Sequence, residues 1–204
     1  MNKIPFLIVL VSMILGSCSS NDDSNDFETL PTLTQDEIND LSFLREEEKL
    51  ARDVYIYAYE KYQINLFNSI SNSEQSHMNS VLALMYRYGI SDSASPEIGV
   101  FNNPDLQEIY YSLIELVDIS IVDALTVGAI IEDLDINDID HFINNTTKQD
   151  LLDIYENLTC GSKNHIRAYT DQLDINGVTY APQYISVAYY DEILNQSSGS
   201  CRTN

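Results

Sequence analysis

Basic residues are scarce. The 204-residue chain carries 10 lysines and arginines against 32 aspartates and glutamates, a formal net charge of -22. Nucleic acid and anionic lipid headgroups would repel such a surface, so nucleic-acid binding is excluded. The same acidity suits solubility at a cell surface and the attraction of cations, without showing the latter. Long apolar runs are lacking as well. No stretch approaches the roughly 20 consecutive apolar residues that a spanning helix needs. There are only three cysteines, Cys18, Cys160 and Cys201, and no Cys-x-x-Cys pair. That excludes a rubredoxin-like iron site and leaves no built-in iron–sulfur electron donor. No internal repeat is found.

The one apolar run, over residues 4–15, follows the positive charge of Lys3 and ends at Gly16-Ser17-Cys18. It is too short to span a bilayer and has the length of a signal-peptide core. Leu15-Gly16-Ser17-Cys18 resembles a bacterial lipobox, which implies cleavage before Cys18 and lipidation of its thiol. Residues 1–17 are then a lipoprotein signal peptide and 18–33 a flexible Ser/Asn/Asp-rich tether. Serine rather than aspartate follows Cys18, which by resemblance to other lipoproteins favours the outer membrane. The expectation is an exported protein held at the cell envelope by its lipid anchor. An oxidising compartment would permit a disulfide between Cys160 and Cys201.

The rest of the chain reads as helical. Thr34-Gln35-Asp36-Glu37 is a capping-box pattern and opens a helix to about Tyr62. A second helix runs over 66–88 and stops at Gly89. A link over 90–103 follows, then Asn103-Pro104 opens a short helix to about Val117. Ser120 caps a third long helix reaching Phe142, and Thr146-Thr147-Lys148-Gln149 signals a fourth reaching about Leu173. After the Asn176-Gly177 turn, a tyrosine-rich tail contains one short helical stretch over 186–194. Two tight helical pairs joined by a long link make the pattern of a four-helix bundle with one long crossover, as in ferritin-like folds. The expected organisation is a bundle over 34–175 with a C-terminal extension over 176–204.

Each long helix carries an apolar stripe at three- and four-residue steps, and each stripe is broken near its middle. The interruptions are Glu48, then Glu74 with His77, then Glu132 with Asp135, and finally His165. Each has a bland explanation alone. Glu46-Glu47-Glu48 and Glu132-Asp133-Leu134-Asp135 read as solvated faces, Glu74 and His77 as an exposed pair, and His165 as a hydrogen-bonded core histidine. His141 lies off the stripe and reads as surface. Four interruptions at similar depth point instead to one shared polar site. Carboxylates and imidazoles around a point suit iron, manganese or zinc, and bridging carboxylates allow two ions.

These residues also carry a family resemblance. Glu48, Ala51-Arg52 and Tyr55 are similar to the first-helix motif of rubrerythrin-like proteins, and Glu74-x-x-His77 to their second. More closely, segments 44–53, 73–78, 128–136 and 161–169 resemble the DUF2202 family of ferritin-like proteins. The resemblance implies a di-iron or related dimetal centre with Glu48, Glu74, His77, Glu132 and His165 as ligands. Ferritin-like di-iron sites usually carry a second Glu-x-x-His on the fourth helix, where this chain has Ser162. Asp135, one turn beyond Glu132, is the candidate for the missing carboxylate. Arg52 and Tyr55 are candidates to orient the ligands by hydrogen bonding, with Ser162 beside them. The implied activity is redox chemistry on peroxide, oxygen or iron. The alternative is metal binding without turnover, or an interaction module with a degenerate site. A homodimer is compatible with either, and the electron donor is unspecified.

Overall fold

In a computed structural model, which describes residues 30–197 and 199–201, six α-helices and no strand are present among the described residues. They are α1 (Gln35–Tyr62), α2 (Asn65–Arg87), α3 (Pro104–Val117), α4 (Ile121–Asn145), α5 (Gln149–Ile175) and α6 (Val187–Asn195). The lipobox-like segment, Cys18 and most of the 18–33 tether lie outside the described residues. No helix among the described residues is long and apolar enough to cross a membrane.

Local chemistry sets the helix ends. Thr34 and Glu37 form the reciprocal capping box at the start of α1. Asn103 accepts from the first N–H groups of α3, whose first residue is Pro104. Ser120 caps α4 by accepting from Asp123 N. The start of α5 differs from the sequence expectation. Its N-cap is Lys148 with no side-chain cap, because Thr146 Oγ1 is used elsewhere: it accepts from Lys148 N at 3.1 Å and donates to Glu37 at 2.6 Å. Gly89 ends α2 with φ +72°, a left-handed conformation that costs glycine little.

α1 packs along α2, and α4 along α5; α1 also meets α4, and α2 meets α5, which closes a bundle of four long helices. α3, within the long α2–α4 connection, lies against α1 and α4, while α6 lies against α5. The apolar core falls into two clusters. One includes Val54, Tyr55, Phe67, Leu125, Ile166 and Tyr169; the other includes Leu41, Leu44, Val81, Ile139, Leu151 and Leu158. The polar interruptions of all four stripes lie along the chain between these two sets.

Two runs that read as solvated faces are buried. Successive residues on a helix point about 100° apart, and α1 is surrounded closely enough to bury Glu46, Glu47 and Glu48 together. Glu46 accepts the Asn102 and Asn103 N–H groups at 2.8 and 3.2 Å, so it anchors the crossover. Asp53, paired with Lys49 and Arg52, accepts from Gly99 N at 2.9 Å in the same link. Asp133 is fully buried on α4 and holds the tail: Tyr180 Oη donates to it at 2.7 Å, and Gln183, Tyr184 and Ile185 donate backbone N–H groups. A disulfide between Cys160 of α5 and Cys201, with Cα atoms 5.7 Å apart, ties down the end of that tail.

Glu37 joins the start of α1 to the α4–α5 turn. Burial alone would raise its carboxyl, but the Lys148 ammonium, the Thr146 hydroxyl and Thr34 outweigh it and hold it at about 2. A carboxyl depressed by folding stabilises the fold above its ordinary value of 4.5, and that contribution disappears as pH falls toward about 2. Glu37→Gln is therefore expected to cost on the order of 2 kcal/mol at neutral pH and much less at a pH of about 2. Urea unfolding of both proteins at the two pH values measures the difference. An equal cost at both would show that the ion pair is not its source.

Candidate metal centre

Five buried side chains from the four long helices meet in the middle of the bundle: Glu48 of α1, Glu74 and His77 of α2, Glu132 of α4 and His165 of α5. The three-residue step from Glu74 to His77 places both on one face of α2. They form two triads, Glu48–Glu74–His77 and Glu74–Glu132–His165, in each of which the potential ligand atoms all lie within 4.8 Å of one another. Glu74 belongs to both. Its Oε2 is 2.7 Å from His77 Nδ1 and its Oε1 is 2.8 Å from His165 Nδ1. His77 Nδ1 is also 3.2 Å from Glu48 Oε2, and His165 Nδ1 is 3.3 Å from Glu132 Oε2. The two imidazoles are stacked with centroids 5.6 Å apart.

These spacings fit metal ligands. Two ligands each about 2.1 Å from one ion and about a right angle apart are separated by about 3 Å. Glu74 Oε1 approaches His165 closely, yet the alignment is not that of a hydrogen bond, and this oxygen has no hydrogen-bond donor. Glu48 Oε1 is buried without a donor as well. His77 Nδ1 and His165 Nδ1 hydrogen-bond only to Glu48 Oε2 and Glu132 Oε2, at 3.2 and 3.3 Å, and the crowded oxygens left without a donor are placed as ligands of a common ion would be.

Burial lifts the Glu48 carboxyl well above the ordinary range, and His77 offsets only part of this. Burial and then the charge of Glu74 raise Glu132. Burial would also raise Glu74, but His165 and His77 outweigh it and hold Glu74 below the carboxylate range. Burial disfavours a charged imidazole, yet Glu48 and Glu74 raise His77, and Glu74 and Glu132 raise His165 to about 10. Protons on the imidazoles thus balance the carboxylates when no other cation does. A metal must displace them, so its uptake releases protons and weakens as pH falls.

Around the triads, Tyr55 Oη donates to Glu132 Oε1 at 2.6 Å and fixes that carboxylate. Ser73 Oγ, absent from the sequence candidates, lies 3.0 Å from His165 Nε2 and so bears on which nitrogen faces the carboxylates. A seryl residue just before Glu74 carries no sequence signal for such a contact. Gly161 of α5 was also missed: a Cβ there would stand 2.5 Å from His77 Nε2. Three sequence candidates are placed differently from the five. Asp135 belongs to neither triad; it accepts from Ser162 Oγ, and burial with the charge of Glu132 pushes it up to about 7. Ser162 also donates to Leu158 O at 3.0 Å. Arg52 donates to Asp53 and Gln75 and reaches none of the five side chains through a hydrogen bond.

A helical bundle with two glutamate–histidine triads sharing one carboxylate defines a class, a candidate metal-binding all-α protein. Within it, the chain belongs to the DUF2202 family, described as "Uncharacterized protein domain (DUF2202)", which it matches over residues 37–197. It is 47% identical over 167 residues to the uncharacterized protein MJ0754 of Methanocaldococcus jannaschii, covering 81% of this chain and 90% of that protein. The crystal structure of hypothetical protein MJ0754 superposes with a TM-score of 0.81 at 46% identity, over 84% of this chain and 99% of that one.

Proposed function

We propose that this is a ferritin-like dimetal protein, with Glu48 and His77 holding one ion, Glu132 and His165 the second, and Glu74 bridging them. The observation that carries this reading is Glu74, with one oxygen at each imidazole. A single structural ion pair would need only one of those contacts. Mixed carboxylate and imidazole donors suit iron, with manganese or zinc as alternatives. Iron held there would supply redox chemistry on oxygen or peroxide.

The protein's own part is to hold that chemistry in place. Tyr55 keeps Glu132 oriented, Ser73 contacts the far nitrogen of His165, and the two apolar clusters limit water around the site. Lipidation at Cys18 would place the centre at the cell envelope, outside the cytosol, where its electron donor must also be found.

Metal analysis of protein purified without an affinity-tag histidine tests the reading. About two equivalents of iron per chain, with proton release on loading and an absorbance change on adding peroxide, are expected. Bound metal with no response to peroxide would assign metal capture without turnover. A chain that takes up no iron, manganese or zinc would sink both.

A further inference from the structure

Away from the two triads, a cavity of about 340 Å³ opens where the C-terminal tail lies on α5. That volume is within the range that takes a small molecule. Four of its lining side chains are charged: Lys163 and Arg167 of α5, Glu156 of α5 and Asp140 of α4. The whole chain has only 10 lysines and arginines, so two of them beside two acids mark a place for a ligand that carries both signs. Of the two bonded cysteines, Cys160 lines this cavity, and both are half-buried. Cys201 Sγ has a different neighbour. It accepts from Asn164 Nδ2 at 3.3 Å, and the same amide donates to Gly199 O at 3.1 Å. Asn164 Oδ1 in turn accepts from the Arg167 guanidinium at 2.5 Å, and Arg167 also donates to Ile193 O at 2.9 Å.

The two sulfurs are therefore unequal: one borders a cavity and the other meets a hydrogen-bond donor. Disulfide exchange needs that inequality. A thiolate attacks one sulfur while the other leaves as a thiolate, and the step is faster when the leaving thiolate is stabilised. A cation on the amide oxygen orients Asn164 and polarises its N–H toward the Cys201 sulfur. We propose that Cys160–Cys201 is a thiol–disulfide exchange site whose substrates are amino-acid or short-peptide thiols. The substrate carboxylate meets Lys163, and its ammonium meets Asp140 or Glu156. Its thiolate attacks Cys160 Sγ; the S–S bond breaks, a mixed disulfide forms on Cys160, and Cys201 leaves as a thiolate beside Asn164. A second substrate thiolate attacks the substrate sulfur of the mixed disulfide and releases Cys160. Two thiols thus become one free disulfide, and their two electrons and two protons end on Cys160 and Cys201. Lys163 follows Cys160 by three residues on the same face of α5 and favours the released thiolate. Asn164 is the group that touches a reacting atom, and Arg167 is a positioning residue that acts through it. None of this depends on the dimetal reading.

The test follows reduction of the full chain by L-cysteine, by cysteamine, which lacks the carboxylate, and by 3-mercaptopropionate, which lacks the ammonium. Thiols are trapped with iodoacetamide at timed intervals and located by peptide mass spectrometry. Each rate is divided by that on the same chain unfolded in urea, which cancels the intrinsic reactivity of the probe. L-cysteine is expected to react about tenfold faster with the folded chain than with the unfolded one, and the other two probes about equally with both. The first adduct is expected on Cys160, with Cys201 alkylated. Asn164→Ala should lower the L-cysteine ratio about tenfold, and Lys163→Gln should erase the advantage of L-cysteine over cysteamine with the adduct still on Cys160. Slower reaction of the folded wild type with all three probes would overturn the proposal and leave the disulfide as a structural tie. So would a first adduct on Cys201, or equal ratios for the three probes. These readouts come from the wild type and stand even if a variant fails to fold.

Discussion

Glu74→Ala is expected to empty both halves of the centre at once. Its two oxygens lie 2.7 and 2.8 Å from the two imidazoles, so one truncation removes a ligand from each triad. Glu48→Ala and His77→Ala should instead weaken one half, and Glu132→Ala and His165→Ala the other. The quantity to measure is metal per chain after dialysis against a weak chelator. The bridging variant should retain none from the triads, and each of the others about half the wild-type triad metal, with affinity in the damaged half down by at least about 100-fold. Stability gives an independent reading. Metal at about a thousand times its dissociation constant adds about 4 kcal/mol to a folded state that alone binds it. Wild-type melting should therefore fall sharply on adding a strong chelator, while Glu74→Ala should not respond. Equal metal loss in Glu74→Ala and Glu48→Ala would show that Glu74 does not bridge. Metal-free protein insensitive to chelator would leave the triads as a buried hydrogen-bonding network.

Much of the frame that supports this centre is legible in the sequence, because it is local. The Thr34–Glu37 capping box, Asn103-Pro104 and Ser120 announce three helix starts through chemistry contained within four residues. Glu48, Glu74, His77, Glu132 and His165 stand out because each interrupts an apolar stripe at about the same depth. What eludes sequence reasoning depends on which neighbour a face meets. Glu46, Glu47 and Glu48 are chemically identical, yet the first anchors the crossover, the second is buried without a hydrogen-bond partner, and the third joins a triad. Asp133 and Asp135 differ in the same way, one clamping the tail and the other bordering the centre. Arg52 sits four residues after Glu48 and suggests a brace for it, but Asp53 and Gln75 take its guanidinium. Glycines are the hardest case, since their role is the absence of an atom.

Gly161 tests that role. On α5, a Cβ at this position would come within 2.5 Å of His77 Nε2 and 2.6 Å of Cε1, far inside van der Waals contact. The ring cannot simply retreat, because its Nδ1 already lies 2.7 Å from Glu74 and 3.2 Å from Glu48. Gly161→Ala should therefore displace His77 and abolish metal binding in its half of the centre without removing any ligand, an affinity loss of about 100-fold or more. The His165 half should be spared, since the new Cβ would lie 3.9 Å from His165 Cε1, an ordinary contact. Two opposing effects act on metal-free stability. Alanine in a helix interior gains about 0.5–1 kcal/mol over glycine, while overpacking costs about 1–3 kcal/mol. Melting temperature alone is thus a poor readout, and a double-mutant cycle separates the two. In a His77→Ala background the clash has no partner, so adding Gly161→Ala should raise metal-free stability by about 0.5–1 kcal/mol and leave metal content unchanged. In the wild-type background it should remove metal from the His77 half. If Gly161→Ala in the wild-type background keeps both ions with unchanged affinity, His77 does not ligate from the position it holds here, and the Glu48–Glu74–His77 triad loses its histidine.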